Sequence, residues 1–211
     1  MYDTVSLKLL KEDIGDKYDW RSVFNKIDQT SEYKQVEGGS GHINGLRVSV
    51  TEKHVRVIGS LSKYFRGTNL DSLTLSQVEK AIKQLGKDLG VPMIKADVER
   101  VDMAENFEMS RPPEFYISKM QSLGECCPNK WKGTTYFPSN GVLLRFYDKS
   151  KEVRKKRKNQ KNTPGAFSTS VEQNLLRYEI CFGKKAIRRM FGHQLKAKDL
   201  YDKDIFWRLV S

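Results

Sequence analysis

Two stretches of alternating apolar residues, each broken in the middle by turn residues, constrain this chain most. In "LRVSVTEKHVRVIGSL" (46–61), Leu46, Val48 and Val50 alternate up to the polar "TEKH", and Val55 and Val57 resume the pattern after it. In "TTYFPSNGVLLRFYDK" (134–149) the break is "PSNG". Period-two alternation on both sides of a short turn describes a β-hairpin, and hairpins require antiparallel neighbours. A doubly wound parallel sheet is therefore excluded. Helical patterns lie between the strands, so the class expected is α+β, with a central, mostly antiparallel sheet and flanking helices.

The remaining segments follow the same reasoning. "DTVSLKLL" (3–10) reads as a first strand, and "DWRSVFNKI" (19–27) as a helix with Asp19 at its N-cap. "EGGSGHING" (37–45) reads as a loop. In "TLSQVEKAIKQLGKDLG" (74–90), Ser76 and Glu79 have capping-box spacing, Val78, Ile82, Leu85 and Leu89 share a face, and Gly90 is a stop. "ADVERVDMAENF" and "NLLRYEICF" are strands, "RPPEFYISKMQSL" opens or precedes a helix, and "GKKAIRRMFG" follows the last strand. "DLYDKDIFWRLV" is a closing amphipathic helix. A length of 211 residues fits one domain, 1–211, and no repeat of fixed period is found.

Charge narrows the partner. The formal net charge of +12 exceeds what solubility requires and points to a polyanion, nucleic acid before membrane, although a solvated lysine-rich surface would look the same by count. The basic residues concentrate between Lys149 and Lys161, where eight Lys or Arg face one acid, and 152–170 reads as a basic surface arm or loop. Three cysteines, two of them adjacent, make neither a disulfide framework nor a spaced zinc site, so a reducing cytoplasm is expected. No signal peptide or apolar run of membrane-spanning length is found. A Walker loop, a Gly-x-Ser-x-Gly elbow and a paired-histidine metal motif are also missing.

Three strands share one local arrangement: Arg100 with Asp102, Arg145 with Tyr147, and Arg177 with Glu179, each two residues apart and hence on one face. If the strands are neighbours, Asp102, Glu179 and Tyr147 converge on a groove floored by cations. Two carboxylates there could hold Mg²⁺ or Mn²⁺, which prefer oxygen ligands. The tyrosine could then attack a phosphodiester and conserve its energy in a phosphotyrosine bond, chemistry that breaks and rejoins a DNA strand. Two plainer readings stand beside this one. A tyrosine near a strand end is commonly a half-buried packing residue, and Arg-x-acid pairs can be surface ion pairs worth about 0–1 kcal/mol each.

The succession "MYDTVSLKL", "VERVDMAENF", "GVLLRFYDKSKE" and "LLRYEICFGKKAIRRMFG" resembles the replication initiators of the filamentous-phage gene II/X type and their rolling-circle plasmid relatives. The resemblance runs over roughly Met1 to Ser211. It implies a fold similar to rolling-circle Rep and relaxase nuclease domains. It also implies an enzyme that nicks one strand of single-stranded or locally melted origin DNA, stays linked to the 5′ phosphate, leaves a 3′ hydroxyl and later rejoins the ends with a divalent metal. The tyrosine of that family's Y-x-K segment falls on Tyr147, followed by Lys149 and Lys151, with Arg145 before it. Arg100 with Asp102, Arg177 with Glu179, and Asp3 match its other segments.

The His-hydrophobic-His metal motif of the wider nicking superfamily is not found, so a metal site on Asp102 and Glu179 is an expectation from the shared groove and is not carried over from the family. Asp3 is either a third ligand or a buried hydrogen-bond acceptor. Lys149 or Lys151 would stabilise the attacked phosphate. Arg154, Lys155, Lys156, Arg157, Lys158 and Lys161, with Arg100 and Arg177, would grip the DNA backbone. Tyr64, Phe65, Tyr136 and Phe137 are the candidates for stacking on unpaired bases. The host's polymerase and helicase would be partners, in a bacterial cytoplasm. Relatives tend to run well beyond this length, which predicts a naturally short or truncated form. A conjugative relaxase and a non-catalytic nucleic-acid-binding module are the alternatives.

Overall fold

The alternating pattern of "YDTVSLKLL" forms strand β1 (Tyr2–Leu10), which buries Val5, Leu7 and Leu9 completely. The computed structural model describes residues 2–16, 18–29, 38–70, 72–159 and 173–210, and side chains only up to Lys155 in the helix that reaches Asn159. These residues hold ten strands and eight α-helices, and every pair of strands whose register is defined is antiparallel, as the hairpins require. The class is α+β. The chain divides into two compact units, 1–103 with 182–211, and 104–181.

The first unit is built on β1, β2 (Asp28–Gln29), β3 (Gly38–Ile43), β4 (Leu46–Thr51), β5 (His54–Ser60) and most of β6 (Asp97–Glu108), in the order β2-β3-β4-β5-β1-β6. Helices α1 (Lys11–Ile14), α2 (Trp20–Phe24), α3 (Leu61–Arg66) and α4 (Leu75–Leu89) complete its N-terminal part. Asp19 caps α2 by accepting from the Arg21 amide. Leu46, Val48, Val50, Val55 and Val57 of β4 and β5, and Val78, Ile82, Leu85 and Leu89 of α4, are all fully buried. Gly90 ends α4 in the left-handed conformation.

Two details differ from expectation. The capping box of α4 lies two residues earlier than Ser76 and Glu79: Gln77 N donates to Thr74 Oγ1 and Thr74 N to Gln77 Oε1. Thr74→Ala is therefore expected to lower stability by about 1 kcal/mol, read as a shifted urea midpoint at constant slope. Secondly, "EGGSGHING" is mostly strand, because its glycines let neighbouring backbones approach. A Cβ on Gly41 would run into Asp28 O, and one on Gly38 into Val50 O. Composition alone reads such glycines as loop.

The second unit contains the end of β6, α5 (Pro113–Lys119), β7 (Asn129–Trp131), β8 (Thr134–Ser139), β9 (Val142–Asp148), α6 (Lys149–Asn159) and β10 (Leu175–Gly183) up to Cys181. Its strands run β10-β9-β8-β7. The "NG" of "PSNG" makes the β8–β9 turn with φ of 42° at Asn140 and 84° at Gly141, the two left-handed residues of a type I′ hairpin. That turn sets Thr134 opposite Tyr147, Tyr136 opposite Arg145 and Phe137 opposite Leu144. After β10, α7 (Lys184–Phe191) and α8 (Lys203–Val210) return to the first unit. Among the described residues no helix is long and apolar enough to cross a membrane.

Candidate active site

Alternation divides the side chains of β9 and β10 between the two faces of the sheet. On one face Phe146 packs against Tyr178, with ring centroids 5.3 Å apart, and against Phe137 of β8 at 6.1 Å. On the other face Arg145 and Tyr147 meet Arg177 and Glu179. Tyr147 Oη donates to Glu179 Oε1 at 2.7 Å, and Arg177 Nε donates to the same oxygen at 2.6 Å. Arg145 binds Glu179 Oε2. Arg177 Nη1 reaches Asn106 Oδ1 of β6 at 3.0 Å. Two guanidiniums and one phenol thus converge on one carboxylate, in a group carrying one net positive charge.

This group lies largely out of solvent. Glu179 is 2% exposed and Arg177 3%, while Tyr147 and Arg145 are half-buried and give access from outside. The Tyr147 hydroxyl is pushed well above its ordinary value, first by burial and then by the Glu179 charge, with Arg177 acting the other way. At rest Tyr147 is a neutral phenol that holds its proton toward a carboxylate.

The start of α6 fixes the end of β9. Asp148 Oδ1 accepts from the Lys151 amide at 2.8 Å, an N-terminal cap. Ser150 Oγ donates to Gln173 O and accepts from the Leu175 amide at 2.8 Å, which ties α6 to the entry of β10. Lys149, expected as a phosphate-stabilising lysine, is buried and paired with Glu152 at 2.8 Å, its Nζ 6.0 Å from the Tyr147 ring centroid. Lys151 points into solvent and pairs with Glu114 at 3.2 Å. Arg154 and Lys155 are exposed on α6. Lys156, Arg157 and Lys158 follow on the helical backbone, their side chains outside the described residues, as are Lys161 and the rest of the expected arm from 160 to 170.

The other expected carboxylates lie in the first unit. Asp102 is fully buried and held in bidentate fashion, Arg100 Nε to Oδ1 at 2.7 Å and Arg100 Nη2 to Oδ2 at 2.6 Å. Asp3 is buried and accepts from Ser60 Oγ at 2.8 Å and Asn69 Nδ2 at 3.2 Å. Asp102 and Glu179 therefore have arginines on both oxygens, an arrangement that presents no open oxygen set to a cation. Among the described residues no group of three or more His, Cys, Asp or Glu is placed to hold a metal ion.

Asn106 is a site residue that the sequence patterns do not single out, though the spacing of two from Asp102 through Ala104 to Asn106 places it on the face of the Arg-x-acid pairs. The stacking candidates are corrected in part. Tyr64 is buried with its hydroxyl on Asp88, and Phe137 is buried against Phe146, because both face a core. Phe65 is half-buried, and Tyr136 is half-buried beside Arg145.

The family of the N-terminal part of the phage gene II replication-associated protein matches residues 1–202. The chain belongs to this family. Membership agrees with the resemblance to filamentous-phage gene II-type initiators and supports a role in initiating phage replication. No curated protein matches the chain.

Proposed function

We propose that this member of the replication-associated family nicks and rejoins one strand of origin DNA through a covalent bond between Tyr147 and the 5′ phosphate. The observation that carries this reading is the 2.7 Å hydrogen bond from Tyr147 Oη to Glu179 Oε1, set between Arg145 and Arg177. A phosphodiester entering beside the half-exposed Arg145 and Tyr147 competes with Glu179 for the guanidiniums. As their charge turns to the phosphate, Glu179 Oε1, already the acceptor of the phenolic hydrogen bond, takes the phenolic proton. The Oη–P bond forms and the P–O3′ bond breaks. The departing 3′ oxygen takes a proton from solvent, and the arginines offset the charge on phosphorus. In the reverse direction the 3′ hydroxyl attacks phosphorus and releases its proton to solvent, the P–Oη bond breaks, and Glu179 returns its proton to Oη.

A requirement for Mg²⁺ or Mn²⁺ belongs to the same proposal and rests on the family resemblance. No step is assigned to the ion, because the carboxylates are occupied as described. Origin DNA as substrate, and the host's polymerase and helicase as later partners in a bacterial cytoplasm, belong to the proposal too. The test is incubation with a labelled pool of single-stranded oligonucleotides, with and without Mg²⁺, Mn²⁺ and chelator, read on a denaturing gel. An adduct that survives denaturation supports nicking, and dependence on the ion supports the metal. Absence of any adduct with a pool that includes the phage origin would sink the reading.

A second reading has an observation of its own. Tyr147 is hydrogen-bonded and its phenol is shifted away from ionisation, as in a structural network, which suits a module that binds nucleic acid without cutting it. Both readings share the binding surface. Replacing Arg154 and Lys155 together by Ser is expected to lower the slope of log affinity against log salt on single-stranded DNA by about 0.7 for each phosphate no longer neutralised, checked by anisotropy titrations across salt concentrations.

A further inference from the structure

The face of the sheet that carries Tyr147 continues outward from it. Residues directly opposite in an antiparallel pair project from the same face. Tyr147 of β9 pairs with Thr134 of β8, and Thr134 pairs with Trp131 of β7. Arg145 pairs with Tyr136, and Tyr136 with Asn129. The two rows Tyr147–Thr134–Trp131 and Arg145–Tyr136–Asn129 therefore run side by side from the candidate nucleophile to β7, the last strand of the order. At a strand spacing of about 4.8 Å, Trp131 stands about 10 Å from Tyr147 along the row.

Trp131 ends the row in solvent. It is 63% exposed, the most exposed large hydrophobic residue among those described, and Lys132 Nζ sits 4.4 Å from its ring centroid. That exposure places it outside the core, while Lys130 next to it turns to the opposite face, where its Nζ donates to Ser118 O of α5 at 3.0 Å. An exposed indole beside a lysine, on the same face as an arginine and a half-buried tyrosine, combines a π surface with positive charge. Unpaired nucleotides present the complementary combination, flat bases on an anionic backbone.

We propose that Trp131, with Tyr136 behind it, is a stacking platform for an unpaired base of single-stranded DNA, positioning the strand whose phosphate lies at Tyr147. The proposal rests on the nicking reading for the identity of the strand, and the platform is tested without any cleavage. Thr134, between the two ends of the row, is small enough to leave a path for the sugar-phosphate backbone from tyrosine to tryptophan. Trp131 is thus a positioning residue, and its removal should affect how bases are held more than how charge is neutralised.

The experiment compares two probes of equal charge: a fluorescent oligothymidylate of about twelve nucleotides, and the same backbone carrying abasic residues. Phosphate contacts contribute equally to both, so the ratio of affinities isolates stacking. The wild-type protein is expected to prefer the base-bearing probe by about 10-fold or more. Trp131→Ala should bring that ratio close to one, Trp131→Phe should retain most of it, and neither should change the thermal midpoint because the side chain is exposed. The same titrations run with Tyr147→Phe keep the result independent of chemistry. A ratio unchanged by Trp131→Ala overturns the platform and leaves the indole as a contact for a protein partner. A platform that behaves as expected while wild type forms no adduct would sink the nicking reading alone.

Discussion

Tyr147→Phe is expected to abolish the covalent protein–DNA adduct, lowering its rate of formation by at least about 10⁴-fold, as loss of a nucleophile does in other covalent enzymes. The variant should still bind single-stranded DNA within about twofold of wild type, since the phosphate contacts come from lysines and arginines that the change leaves alone. Its fold should survive. Glu179 Oε1 loses the phenolic donor but keeps Arg177 Nε at 2.6 Å, and the net cost of one such hydrogen bond to a carboxylate is about 1.5–3 kcal/mol. Gel analysis of the adduct, anisotropy for binding and a thermal melt separate these effects. An adduct undiminished in the variant would move the nucleophile elsewhere. Loss of binding in parallel with cleavage would mean that Tyr147 shapes the surface instead of reacting.

Glu179→Ala is expected to have the largest effect on stability, about 3–5 kcal/mol. Arg177 is 3% exposed and Arg145 26% in their side chains, and the carboxylate of Glu179 is a partner of both. Truncation takes from two largely buried guanidiniums the carboxylate they share, while Asn106 Oδ1 still accepts from Arg177 Nη1. A guanidinium chloride denaturation should show a lower midpoint, with the second unit losing structure first. Glu179→Gln keeps the volume and one acceptor oxygen, so it should destabilise less while still removing the base that takes the phenolic proton. A cost below about 1 kcal/mol for the alanine variant would show that the arginines find other partners or solvent.

Much of this site can be read along the chain, because it is written in the period of a strand. Arg145 with Tyr147 and Arg177 with Glu179 are two residues apart, and spacing alone puts each pair on one face. Both hairpins are legible for a similar local reason: alternation names the strands, and Asn140-Gly141 supplies the left-handed turn. Elements governed by non-local contact are harder to read. β3 looks like loop because glycine is poor in strands, and its suitability appears only once the carbonyls of Asp28 and Val50 are seen to press against it. The cap at Thr74, in contrast, is hidden by a local ambiguity, since two overlapping capping-box patterns occur in one stretch.

By itself, the sequence determined the α+β class, the antiparallel neighbours, the strongly positive net charge and the pairing of arginine with carboxylate within β6 and within β10. These follow from periodicity, turn chemistry and charge, which act over a few residues. Only the tertiary structure decided that Glu179 gathers Arg145, Arg177 and Tyr147 across two strands, that Lys149 is buried in an ion pair with Glu152, and that Tyr64 and Phe137 serve cores while Trp131 stands in solvent on the row of Tyr147. Those outcomes depend on pairing between strands distant in sequence, and that pairing is set by the joint burial of the sheet's apolar face and by turn geometry, which no single stretch of the chain contains.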